Sequence, residues 1–498
     1  MGSSMKPRGL RILPLSLCIL IWAAGCSHAT FNTGGGGQTA PMFLTFHDTP
    51  AAGITVTSFE VTVTGAVLQP GNVSLLSAPQ TIELTQLQTN SAFLSKTSVP
   101  LGTYTSLTVT YASPHYTFLN NSGVQVTAGG QTCAAGASCV VTSPTASPLT
   151  LTLSAPAFPS VPVTTTSTQT LLEVDVNLNN IIQTNFSLNF GPSASGGSGA
   201  VTVTQSGVAA SVIGTMNVTG QVGTVGATQI QLTPSTGQPP LTIAVNSNTL
   251  FEFARASCTN NDFTCVATGQ IVGANINILG DGTLQAVEID FDDASGTQQV
   301  SGTIVTENNS PPTSFQMIVH NTIPPVANLP PGTPVTVNIG GTASFVINNG
   351  SFVLPTGVSF ASTADVIVGQ EVEARVASGT SISNGAFTAD RLALAQTQLE
   401  ANVSSISPQA QPFPFFVFNP LPPLFTQASV GPATQLQVDI TGAGQSGGTS
   451  FQDLTPLNIS GLTQGQSVTA GGFLFNTTGT VGSPTIVATT VRGVVPGT

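Results

Sequence analysis

Hydrophobic and polar residues alternate with a period of two along most of this chain. Phe59, Val61 and Val63 share one side of a run whose other side carries Glu60, Thr62 and Thr64, and Leu107, Val109 and Tyr111 alternate with Thr108 and Thr110. Leu172, Val174, Val176 and Leu178 do the same against Glu173, Asp175, Asn177 and Asn179. Successive side chains of a strand point to opposite faces, so each run predicts a half-buried strand. No segment of comparable length follows the helical period of about 3.6 residues, and 52 glycines and 35 prolines interrupt the chain too often for long helices. The predicted fold class is all-β.

Beyond a Gly/Ser-rich stretch at 193–200, a pattern recurs roughly every hundred residues. Gly269-Gln270-Ile271-Val272, Gly369-Gln370-Glu371-Val372 and Gly465-Gln466-Ser467-Val468 each read as a turn leading into a strand. Each copy closes with a further strand, introduced by Asp281-Gly282 in the first and Asn384-Gly385 in the second, dipeptides that tolerate positive φ in a tight hairpin. The third copy has Ser483-Pro484 there instead. Five or so short strands per copy fit a small barrel, since closure removes exposed edges. The expected organisation is a signal at 1–26, a tether at 27–40, a sandwich-like β domain at 41–192 and a linker at 193–210. Barrel-like repeats follow at 211–298, 299–398 and 399–498.

The N-terminus changes where this body is expected to reside. Lys6, Arg8 and Arg11 precede an apolar stretch from Ile12 to Ala24, too short for the roughly 20 residues of a membrane-spanning helix, which reads as an export signal. It ends in Ala23-Ala24-Gly25-Cys26, which resembles the lipobox of bacterial lipoproteins. That resemblance implies lipidation of Cys26 and anchoring in the cell envelope, at the outer membrane or cell surface. Ser27 to Pro41, with Gly34-Gly35-Gly36-Gly37 inside it, supplies a flexible tether. The signal holds three of the eight basic residues and none of the twenty acidic ones, so its removal moves the formal charge from −12 to −15. A chain this acidic is a poor partner for nucleic acid or anionic lipid. Four further cysteines fall in two close pairs, Cys133 with Cys139 and Cys258 with Cys265, as expected of loop-closing disulfides in an exported protein. Metal ligation is the competing reading, but no histidine or additional cysteine lies near either pair.

The three copies resemble the bacterial domain of unknown function 5666 in their Gly-Gln turns and closing strands, a resemblance that implies small β-barrels. The region from about Pro41 to Pro192 is similar to the domain of unknown function 4382 of bacterial lipoproteins. That likeness rests on an opening strand ending Asp48-Thr49-Pro50 and on Val99-Pro100-Leu101-Gly102-Thr103-Tyr104 leading into a strand. It also places Glu173-Val174-Asp175-Val176 in a late strand. Neither resemblance implies an activity.

Two groups of residues invite a functional reading. Glu288, Asp290 and Asp292 alternate along one strand with Val287, Ile289 and Phe291 on its other face, and Asp293 follows. A hard cation such as Ca²⁺ would relieve the mutual repulsion of these acids, although a solvated strand end accounts for them equally well. No other cofactor is expected. In the first module Asp48, Glu173 and Asp175 come together if their strands pair. His47 beside Asp48, with Tyr104, Tyr111, His115 and Tyr116, offers a sugar-binding surface, against the plainer reading that the tyrosines fill a core. Phe413, Phe415, Phe416 and Phe418 are expected to be buried. Only three histidines lie beyond the tether and no Gly-x-Ser-x-Gly elbow accompanies them, which argues against a Ser-His-Asp enzyme. The expected role is a non-enzymatic envelope protein, a stalk with a binding or adhesion head for glycan or another envelope protein. Its alternatives are a carbohydrate-active enzyme with paired carboxylates and a purely structural component.

Overall fold

The computed structural model describes residues 37–51, 54–165, 169–191, 199–206, 213–234, 237–247, 249–253, 262–292, 298–309, 311–349, 352–421, 423–426, 435–442, 448–476 and 484–493. The chain is all-β. Six main strands build the N-terminal module: β1 (Thr39–Thr49), β2 (Thr55–Gln69), β3 (Ser91–Pro100), β4 (Ser106–Leu119), β5 (Thr170–Asn177) and β6 (Val201–Ser206). One sheet runs β6-β5-β1-β3, with β1 parallel to β5 and antiparallel to β3. The facing sheet centres on the long β2–β4 pair, flanked by Gln80–Glu83, Ser138–Val141 and Thr150–Ser154. Between them, Phe46, Phe59, Tyr111, Tyr116 and Phe118 lie in one apolar cluster.

β6 corrects the expected linker at 193–210. Val201 and Val203 are buried and Val203 pairs with Val174, so residues Val201–Ser206 are an edge strand of the first sheet. Its Val-Thr-Val-Thr alternation carries the strand signal, which the neighbouring Gly/Ser composition masks at the sequence level.

Three five-stranded rings follow. The first is β7 (Ile213–Val225), β8 (Gln229–Pro234), β9 (Leu241–Ala244), β10 (Ile271–Ile278) and β11 (Leu284–Asp292). The second is β12 (Gln299–Glu307), β13 (Ser314–Ile323), β14 (Pro334–Ile347), β15 (Glu371–Val376) and β16 (Ala386–Ala395). The third is β17 (Thr397–Ser407), β18 (Phe415–Phe418), β19 (Leu436–Ile440), β20 (Ser467–Phe475) and β21 (Thr485–Gly493). Each closes in the order first, second, third, fifth, fourth, with the third and fifth strands parallel and every other contact antiparallel. Phe415, Phe416 and Phe418 are buried in the third ring.

The recurring Gly-Gln dipeptide has one structural job in all three copies. Gly269, Gly369 and Gly465 have φ of 92°, 92° and 84°, a conformation that glycine enters without steric cost. Their amides donate to the carbonyls of Val222, Ile304 and Val403 in the first strand of each ring. The following glutamine folds back, its Oε1 accepting from the amide of Ala267 (2.6 Å), Ile367 (2.9 Å) or Thr463 (3.0 Å). A short 3₁₀ turn precedes each site, capped by Asp262, Ser362 or Asn458. The motif thus locks the fourth strand onto the first, which is the contact that closes the ring. Asn384 and Gly385, at φ of 51° and 69°, form the hairpin turn that their sequence predicts.

The alternation in β11 differs from the expected one. The register shifts between Asn275 and Ile276, leaving Val287 as the extra residue of a bulge. Leu284 and Ala286 face the core before it and Ile289 and Phe291 after it, while Val287 is 36% exposed.

The modules pack together; they are not strung out. Residues from Gln38 onward form a single compact unit. β3 pairs in parallel with β7 at Ser91 and Ala92, so the first sheet runs on into the first ring. The second and third rings share a continuous apolar core that also takes in Leu119 of the N-terminal module.

Candidate functional site

The N-terminal module meets the second and third rings along polar edges that are buried by the meeting. His320 of β13 is enclosed there, its Nε2 donating to the Thr57 carbonyl (2.7 Å) and its Nδ1 lying 3.0 Å from a Glu371 carboxylate oxygen. Burial alone would disfavour the charged ring. The Glu371 carboxylate outweighs it, with Glu83 and the Thr57 carbonyl assisting, and the imidazole is pushed up to about 9. Thr303 donates to the other Glu371 oxygen at 2.8 Å. Gln398 of β17 bridges to the N-terminal module, accepting from the Thr89 amide (2.7 Å) and donating to the Gln86 carbonyl (2.6 Å).

These contacts frame a cleft of about 420 Å³. One side is built from the end of β1, the start of β2 and the 3₁₀ turn Leu84–Gln86; the other comes from Glu371, Glu400, Ser467 and an apolar wall of Leu421, Leu424 and Phe425. Asp48 lines it and is completely buried. Neither of its carboxylate oxygens has a hydrogen-bond partner among the described residues, and the same is true of Thr55 Oγ1 and Gln88 Oε1 on the same wall. Buried polar groups are nearly always paired, so this concentration at one cleft marks it out.

The electrostatics point the same way. Burial raises the Asp48 carboxyl well above the ordinary carboxylate range, and the negative charges of Asp175, Glu400 and Glu83 raise it further. Glu400 is raised by burial against an opposing hydrogen bond from Ser467. Outside the cleft, Glu60 reaches about 7 through burial, opposed by His115 and assisted by Glu83.

The sequence candidates separate into those the fold gathers and those it disperses. Parallel pairing of β1 with β5 sets His47 opposite Asp175 and Thr45 opposite Glu173. His47 Nδ1 lies 3.3 Å from an Asp175 oxygen that also accepts from Thr49, while His47 Nε2 lies 3.1 Å from the Gln88 carbonyl. Glu173 is held by Ser91 and lies 3.5 Å from Arg492 of the third ring. His47, Glu173 and Asp175 therefore knit modules and strands together, leaving Asp48 as the member that lines the cleft.

The tyrosines form no sugar-binding surface. Tyr104, Tyr111 and Tyr116 are 0–2% exposed, and Tyr111 stacks on Phe190 with centroids 4.7 Å apart. Tyr111 and Tyr116 face inward from β4 toward the opposite sheet, and Tyr104, on the short strand Gly102–Tyr104, joins the same apolar cluster. His115 lies 3.2 Å from the Pro331 carbonyl of the second ring and 3.5 Å from Glu60, in a contact between modules.

Of the acidic run, Glu288 accepts from the Asn275 amide at 3.1 Å, opposite it on β10. The Asp292 side chain and Asp293 lie outside the described residues, as do Cys26 and Cys258. Among the described residues, Asp290 included, no group of three or more His, Cys, Asp or Glu side chains is placed to hold a metal ion. Cys133 and Cys139 form a disulfide, and Cys265 is disulfide-bonded. Glu371, Glu400, Thr55, Gln88 and His320 were not legible as site residues. Glu371 shares its face of β15 with Glu373 and Arg375, an alternation that reads as a solvated face.

Residues 39–206 match the family model described as Domain of unknown function (DUF4382), which covers the whole N-terminal module including β6. No curated protein matches the chain. Among solved structures the chain is similar to "drosophila Unr CSD456" at 12% identity, over 57% of this chain and 99% of that one, with a TM-score of 0.13. Similarity that slight carries no argument about fold or ligand.

Proposed function

We propose that this chain is an exported, lipid-anchored envelope protein whose packed ectodomain binds a ligand, without turnover, in the cleft between the N-terminal module and the second and third rings. The cleft carries the reading: buried acceptor oxygens without partners stand across from an apolar wall, the usual make-up of a small-molecule site. A glycan suits that combination, since amides and hydroxyls bond sugar hydroxyls while an apolar face covers the ring. Binding fits better than glycoside hydrolysis. A hydrolase divides labour between one carboxyl held protonated and one held ionised, whereas Asp48 and Glu400 are shifted in the same direction. The finer kinship of the rings, with the domain of unknown function 5666, belongs to the same proposal and is supported by their shared Gly-Gln closure.

Anchoring rests on Ala23-Ala24-Gly25-Cys26 and the glycine-rich tether. Natively expressed protein should show a lipid-sized mass increment and partition into detergent, and a Cys26→Ser variant should lose both. A soluble, unmodified wild type would remove the anchor. The solubilised full chain should retain a saccharide on a glycan array or a partner from envelope extract. Flat results in both would favour a purely structural component.

A further inference from the structure

The unpartnered atoms of the cleft are of one chemical kind. Both oxygens of the Asp48 carboxylate, Oε1 of Gln88 and Oγ1 of Thr55 are acceptors; the threonine hydroxyl also offers a proton, as does Asp48 in the neutral form that burial favours when no cation is near. Glu400, on the opposite side, adds a carboxyl whose other engagement is with Ser467. Among the described residues that line the cleft there is no lysine, arginine or histidine to supply a countercharge to Asp48, and His320 nearby is held by Glu371 and the Thr57 carbonyl. What these atoms lack is a donor-rich cation.

We propose that the cleft takes a small organic ligand bearing a primary ammonium, whose three N–H groups are received by Asp48, Gln88 and Thr55 while its carbon skeleton lies along Leu421, Leu424 and Phe425. This rests on the reading that the cleft is a binding site, and it narrows the ligand class within it. A bare divalent ion would use the oxygens but make no contact with the apolar wall, and the cleft is many times larger than an ion requires. A neutral sugar would use the wall but bring no charge that lets the Asp48 carboxyl ionise. With the side chains as they stand the oxygens of Asp48, Gln88 and Thr55 are all closed off from solvent, so seating the ammonium includes side-chain rotation at the wall, an ordinary accompaniment of binding.

Calorimetric titration of the solubilised full chain with glucosamine, N-acetylglucosamine, putrescine and CaCl₂ separates the possibilities. Glucosamine should bind at least tenfold more tightly than its N-acetyl form, and putrescine should compete with it. Asp48→Asn should abolish that preference and, because it removes an unpaired buried carboxylate, should raise the melting temperature of the protein alone. Glu400→Gln should weaken the preference without removing it. Asp439→Asn, an acid held by Gln437 outside the cleft, should leave it unchanged. Equal binding of the two sugars would overturn the ammonium while leaving the cleft a glycan site. Binding of CaCl₂ that Asp48→Asn abolishes, with no response to amines, would make it a metal site instead. No binding by any probe would overturn the ammonium ligand, and flat results on the glycan array and in envelope extract as well would overturn the cleft as a binding site.

Discussion

Tyr111 and Tyr116 show how differently two neighbouring, equally buried side chains are treated. The Tyr116 hydroxyl donates to the Phe186 carbonyl at 2.8 Å, whereas the Tyr111 hydroxyl is buried without a partner among the described residues. A satisfied buried hydrogen bond contributes about 1 kcal/mol net, and an unsatisfied hydroxyl costs a similar amount. Tyr116→Phe is therefore expected to lower stability by about 1 kcal/mol. Tyr111→Phe keeps the stack on Phe190 and should leave stability unchanged or raise it. Urea denaturation of the two variants checks the contrast, and an equal loss in both would mean that the Tyr111 hydroxyl is satisfied in solution. At this scale sequence says little: alternation places Tyr111 on the inward face of β4, Tyr116 joins it only because the strand bulges between Ala112 and His115, and which hydroxyl meets a carbonyl depends on a loop some seventy residues further along. Asp48 poses the same problem in sharper form. Its place next to His47 in an apolar strand marks it as unusual, while its isolation from every donor depends on residues contributed by three modules.

Elements were far more legible, because their causes are local. Period-two alternation identifies β2, β4 and β5, and the Gly-Gln dipeptide marks the turn that closes each ring. The dipeptide recurs because two requirements recur: a positive φ that glycine meets, and a side-chain amide that caps the turn before the fourth strand begins. The misreadings also have local causes. β6 follows a Gly/Ser-rich stretch whose composition outweighs four alternating residues, and Val287 sits in a bulge that shifts the pattern by one, which alternation alone cannot anticipate. Strand order was out of reach for a different reason. The parallel contact of third and fifth strands in each ring joins segments some forty or more residues apart, and no local propensity encodes it.

For the whole molecule, the sequence indicates which faces point away from each module's own core but not what covers them. Glu371 stands on the outer face of β15, where a solvated acid is expected, and instead meets His320 at a junction between modules. Both residues belong to the second ring, and His320 reaches the N-terminal module through the Thr57 carbonyl, so stability at this junction is expected to depend on pH with a definite sign. His320 has an ordinary value near 6.5 when unfolded and about 9 when folded, so its contribution is fully present below the unfolded value. It is lost as pH rises from about 6.5 to about 9, and for a buried group the shift corresponds to about 3 kcal/mol. His320→Gln leaves Glu371 buried without a cation, so it should cost about 3 kcal/mol or more near pH 6. Near pH 9.5 it should cost little, because the wild-type imidazole has then also given up its charge. Urea melts of both proteins at the two pH values test this: a penalty as large at pH 9.5 as at pH 6 would show that the ring holds the modules by shape and hydrogen bonding alone. Convergence of the two proteins at high pH would identify the charge on His320, balanced by Glu371 in its own ring and directed through Nε2 at the Thr57 carbonyl of the N-terminal module, as what steadies this junction.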